Sequence, residues 1–121
     1  MIIESLDTVS IVVKNATASA KFYSDLFDFE IEDDSNKKSI LLNLEPIKLR
    51  LVQLDDTTNP LSAGNNPVLS FAMDEDDFTD AINEIEDKKI KIVKGPEALG
   101  KGESLTFSDL DNNLIEIYYI A

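Results

Sequence analysis

The sequence predicts an α+β fold assembled from two βαβββ modules. Three observations carry that expectation: short segments of apolar/polar alternation, two amphipathic segments at helical spacing, and a second half that repeats the first in order. Module one takes in about residues 1–57 and module two about 67–121, with a Gly-, Pro- and Asn-rich linker over about 58–66. At 121 residues the two modules make a single domain large enough to bury a core.

Each element has its own local signal. LDTVSIVV alternates and reads as a half-buried strand. From NATASAKFYSDLF onward, Ala18, Phe22, Leu26 and Phe29 stand three or four residues apart, an amphipathic helix capped by Asn15 or Thr17. Three short strands follow in FEIEDD, SILLNL and IKLRLVQL, the last two divided by a turn at Glu45-Pro46. After the linker, VLSFAM is a strand and DEDDFTDAINEIED a helix. That helix has acids in its first turn and Phe78, Ala81, Ile82 and Ile85 on one face. KIKIV reads as a strand, GP as a turn, and ESLTFSDLDNNLIEIYYI as a hairpin. The repeat aligns closely: TVSIVV at 8–13 lies over VLSFAM at 68–73, SILLNL over SLTFSD, and LRLVQL over IEIYYI.

Alternation divides the strands into two faces. Val9, Ile11, Val13, Leu49, Leu51, Leu69, Phe71, Met73, Leu105, Phe107, Ile115 and Ile117 form the core face, which the helical stripes cover. The opposite face carries Thr8, Ser10, Val12, Lys48, Arg50, Val52, Val68, Ser70, Ala72, Ser104, Thr106, Ser108, Leu114, Glu116 and Tyr118. One face of an antiparallel sheet often meets only solvent. A face this rich in serines and short apolar residues instead leaves room, and room on a curved sheet makes a pocket. Glu116 is its odd member, a carboxylate set among Leu114, Ile115, Ile117, Tyr118 and Tyr119 that needs a partner.

Composition narrows the function classes. With 43% hydrophobic and 29% charged residues the chain reads as soluble and globular. No apolar run is long enough to span a bilayer, the start MIIESLDTV lacks a basic signal-peptide region, and there is no cysteine, so the cytoplasm is the expected compartment. The net charge of −13 repels nucleic acid and anionic membrane and attracts a cationic ligand, where it does more than solubilise. Asp and Glu cluster in MDEDDFTDAINE without the Asp-x-Asp-x-Asp-Gly spacing of a calcium loop.

The paired modules, LDTVSIVVKNATASAKFYSDLFDFEIE and the ending SLTFSDLDNNLIEIYYI together resemble the vicinal oxygen chelate superfamily, which includes glyoxalase I, bleomycin resistance proteins and extradiol dioxygenases. FYSDLFDFE is similar to the family's Phe-Tyr, Leu-Gly-Phe phrase and DLDNNLIEI to its Asp-Pro-Asp-Gly-Asn and Ile-Glu. Asp28 and Asn112 stand where the family has glycines, and both residue types tolerate positive φ. The resemblance implies U-shaped mixed sheets with helices on their convex faces, and a homodimer.

It also implies four metal-ligand positions, which here are Thr8, Arg50, Val68 and Glu116. Valine coordinates nothing, a lone threonine hydroxyl is a poor ligand and Arg50 is a permanent cation, so no metal and no other cofactor is expected. Arg50 is then the expected partner of Glu116, a guanidinium in place of the metal's charge. Two functions follow. One is a metal-independent binding protein that sequesters a cationic or planar antibiotic or metabolite. Its ligand-facing residues would be Thr8, Ser10, Arg50, Val68, Ser70, Thr106, Glu116 and Tyr118, with Tyr23 as a second ring. The other is a metal-free lyase or isomerase with Glu116 as general base and Arg50 as electrophile, which a salt-bridged, low-pKa carboxylate disfavours. A glyoxalase-like protein without retained activity is the third reading.

Overall fold

The structure, a computed structural model, describes residues 1–54 and 66–121. The chain divides into two compact units, Met1–Asn66 and Pro67–Ala121, each with one helix and one four-stranded mixed sheet. Of the linker expected at 58–66, only Asn66 is among the described residues.

In the first unit β1 (Thr8–Val13) leads to α1 (Ala16–Phe27), then β2 (Glu30–Asn36), β3 (Ser39–Asn43) and β4 (Lys48–Gln53). The sheet order is β1-β4-β3-β2, with β1 and β4 parallel and the other pairs antiparallel. The parallel pair requires a crossover, and α1 with the β2–β3 hairpin provides it. Ile11, Val13, Ile40, Leu42, Leu49 and Leu51 point to the helix side and are at most 2% exposed. Each such side chain contributes about 2 kcal/mol through burial.

Asn15 is the cap of α1, its Oδ1 accepting from the Ala18 N–H at 2.8 Å. Gln53 Oε1, at the end of β4, accepts from the Ala16 N–H at 3.0 Å and ties the first turn to the sheet. That tether turns a different stripe inward from the expected one. Ala16, Ser19, Ala20 and Tyr23 are buried, whereas Ala18 is exposed and Phe22, Leu26 and Phe29 are only half-buried. The helix ends at Asp28, which takes φ 60 and ψ 27 and donates its N–H to Ser24 O at 2.9 Å. The left-handed position expected of Asp28 is thus occupied without glycine.

The second unit repeats the plan with β5 (Leu69–Ala72), α2 (Glu75–Asp87), β6 (Ile92–Leu99), β7 (Gly102–Ser108) and β8 (Leu114–Tyr119), in the sheet order β5-β8-β7-β6. Phe78 and Ile85 bury the inner stripe of α2 over Leu105, Phe107, Ile115 and Ile117, while Ala81 and Ile82 are half-buried. Glu75, Asp76 and Asp77 fill the first turn and complement the helix dipole. Leu69, Phe71 and Met73 are half-buried rather than core, because β5 is a four-residue edge strand.

Gly95-Pro96 is not a turn. β6 continues through it to Leu99 with a register shift between Lys94 and Glu97. Gly95 adopts φ +98, and a Cβ there would lie 2.6 Å from the Ser104 carbonyl oxygen, so a bulge at this point requires glycine. At the other hairpin Asp109 Oδ1 accepts from the Asp111 and Asn113 N–H groups at 2.8 and 2.9 Å, and Asn112 takes φ 64. This loop sets the β7–β8 register that places the site.

Candidate functional site

The registers give each sheet an equivalent row across its four strands. In the first unit the row is Ser10, Arg50, Leu41, Asp33; in the second it is Ser70, Glu116, Thr106, Lys94. Register partners share a face, so both rows lie on the polar side of their sheets. Arg50 and Glu116 therefore occupy corresponding places, each beside a serine of the parallel neighbour. The repeat seen in the sequence holds at the level of individual hydrogen-bonded pairs.

Glu116 is half-buried and held at both oxygens. Oε1 accepts from the Ser70 hydroxyl at 2.8 Å and Oε2 from the Ser104 hydroxyl at 2.6 Å. The Ser104 hydroxyl, then that of Ser70, hold its carboxyl below the ordinary value of 4.5; partial burial opposes them, and the Lys94 ammonium adds a smaller attraction. Ser104 is 5% exposed and Ser70 is open to solvent, so the carboxylate has one sheltered and one accessible donor. Thr106 and Tyr118, both half-buried, complete the patch; Tyr118 stands beside Ala72 and Ser104 in register.

Arg50, also half-buried, donates from Nη1 to Ser39 Oγ at 3.0 Å. Thr8 stands beside Lys48, its hydroxyl donating to Asp7 Oδ2 at 2.7 Å. Lys48 Nζ lies 3.1 Å from Glu32, and the bond to Glu32 holds the ammonium above its usual value. The expected pairing of Arg50 with Glu116 would join residues of different units; within its own unit, each of the two charges has hydroxyl partners. Val68 precedes β5 and is 51% exposed. Of the expected ligand-facing set, the second unit brings together Ser70, Thr106, Glu116 and Tyr118, and the first brings together Ser10 and Arg50.

The family model of the Glyoxalase/Bleomycin resistance protein/Dioxygenase superfamily matches residues 5–117. The chain belongs to this superfamily. Among solved structures, an integron cassette protein from the mobile metagenome of V. cholerae is similar at 26% identity and a TM-score of 0.74, the match covering 100% of this chain and 98% of that one. Lactoylglutathione lyase from Agrobacterium tumefaciens shares 16% identity at a TM-score of 0.78, with 97% and 94% covered. The fosfomycin resistance protein FosX from Listeria monocytogenes shares 18% at 0.78, with 99% and 96% covered. At these last two identities the likeness is one of fold. No curated protein sequence matches the chain.

The four positions that the resemblance implies for metal ligands, Thr8, Arg50, Val68 and Glu116, do not make a fitting ligand set by their chemistry. The Val68 side chain has no donor atom, the lone Thr8 hydroxyl is a poor ligand and Arg50 carries a positive charge, which leaves Glu116 as the one good ligand of the four. Among the described residues no group of three or more His, Cys, Asp or Glu is placed to hold an ion.

Tyr23 does not join the site. It is fully buried under the first sheet, its ring edge-on to Phe22 at 5.4 Å and stacked with Phe27 at 6.2 Å. The residues that sequence reasoning left out of the site are Ser104, Ser39, Lys94 and Asp33. Ser104 was within reach: it alternates onto the Glu116 face, and the DLDNN turn sets its diagonal position. Lys94 and Asp33 were not, because bulges in β6 and β2 shift their registers.

Proposed function

We propose that this superfamily member binds a small molecule without a metal and that Glu116 anchors the ligand's cationic group. The observation that carries the reading is the pair of hydroxyl bonds from Ser70 and Ser104 to the two Glu116 oxygens. They keep the carboxylate charged and oriented while leaving each oxygen a lone pair for a ligand donor. The same bonds weaken it as a base, which counts against the lyase or isomerase reading. A net charge of −13 adds a field that gathers cations.

With Tyr23 buried, Tyr118 is left as the ring on this face, so a compact cation suits the patch better than a large stacked drug. A smaller basic metabolite or antibiotic is the ligand class. The test is a thermal-shift screen of the purified protein with bleomycin-type drugs, small amines and, separately, zinc, nickel and manganese. Stabilisation by amines that fades with salt and is lost in Glu116→Gln supports the proposal. A chelator-reversible shift with any of the metals overturns its metal-free part.

A further inference from the structure

The row containing Glu116 does not end on neutral residues. From β8 it passes through Thr106 on β7 to Lys94 on β6, and Lys94 faces the same side of the sheet. The first unit carries the inverse arrangement, with Arg50 on β4, Leu41 on β3 and Asp33 on β2. Each sheet face therefore presents a fixed charge on its second strand and the opposite charge on its outermost strand. Neighbouring strands lie about 4.8 Å apart, which puts the two backbones about 10 Å from each other across the intervening strand. The two side chains rise from the same face at the ends of that span, with the Thr106 strand between them.

We infer that the ligand of the Glu116 site is a zwitterion of extended shape, its ammonium held by Glu116 and its carboxylate by Lys94. Two features beyond the register support this. The Lys94 ammonium is close enough to act on the Glu116 carboxyl. Its pairing with Glu97, at 3.1 Å, is exposed on both sides and yields readily to a competing carboxylate. A ligand with adjacent charges, such as glycine, is a poor match for charges rooted two strands apart, whereas an ω-amino carboxylate can span them. The inference rests on the reading of Glu116 as a cation anchor and specifies what else the ligand carries.

Titration with ε-aminocaproate, hexylamine and caproate, followed by calorimetry or amide chemical shifts, separates the two ideas. The expected result is that ε-aminocaproate binds about fivefold more tightly than hexylamine, the scale of an ion pair at a partly exposed position. Lys94→Ala should abolish that preference, and Glu116→Gln should abolish binding of both amines. Equal affinity for ε-aminocaproate and hexylamine would overturn the zwitterion while leaving the cation anchor in place. A preference that survives Lys94→Ala would overturn the assignment of the carboxylate to Lys94. Failure of hexylamine to bind, or binding indifferent to Glu116→Gln, would overturn the anchor itself.

Discussion

The Ser104 hydroxyl donates to Glu116 Oε2 at 2.6 Å, across two strands that the DLDNN turn holds in register. Ser104 sits opposite Tyr118, two residues along β8 from Glu116, so the bond is a diagonal one. A shift of one residue in the hairpin would swing Ser104 to the helix side and leave Glu116 without its sheltered donor.

Ser104→Ala removes a hydrogen bond to a charged, half-buried group. The expected loss of stability at neutral pH is about 1.5 kcal/mol, the low end for such bonds because Glu116 keeps contact with water. Urea midpoints for the two proteins measure it directly. Ser70→Ala, at an exposed donor, should cost less.

The same bonds give the site a pH dependence with a definite sign. Glu116 has its folded-state pKa below the ordinary value of 4.5, so the stability it contributes is fully present above that value. It is lost as pH falls from 4.5 through the depressed value. Cation binding should persist to correspondingly acid pH in the wild type and fail earlier, at higher pH, in Ser104→Ala. Amine titrations at stepped pH would show it; identical profiles for the two proteins would refute the hydroxyl effect.

Asn66 closes the open edge of β1. Its Oδ1 accepts from the Val12 N–H and its Nδ2 donates to the Val12 carbonyl, both at 2.9 Å, as a neighbouring strand would. Asn66→Ala should destabilise the chain by about 1–2 kcal/mol, since two backbone groups lose their partner. Hydrogen exchange offers the sharper readout: the Val12 amide should lose protection well beyond the global change.

Tyr23 belongs to the core, so truncating it should act on stability alone. Tyr23→Ala is expected to cost about 3–5 kcal/mol, as for other large aromatic-to-alanine changes in packed interiors. Amine affinity of the fraction that remains folded should match the wild type, whereas Tyr118→Ala should weaken it. A loss of affinity in folded Tyr23→Ala would return that ring to the site.

Much of this molecule is legible in its residues alone. The two modules, the order of strands and helices, the polar face, and the tolerance of Asp28 and Asn112 for left-handed backbone all follow from local rules. Alternation, helical spacing, turn chemistry and the repeat each act over a few residues or a fixed offset. The equivalence of Arg50 and Glu116 was readable for the same reason and holds pair by pair in the sheet registers.

Only the tertiary structure decided which stripe of α1 faces inward, because Ala16 is pinned by Gln53, a residue 37 positions away. It decided that Gly95-Pro96 is a bulge within β6, since a glycine's role depends on how closely the Ser104 backbone approaches it. It gave Glu116 its accessible hydroxyl donor, Ser70 being 46 residues distant. Periodicity assigns a side chain to a face. Which atoms meet on that face is determined by strand register, and register is settled by turns, bulges and long-range packing acting together.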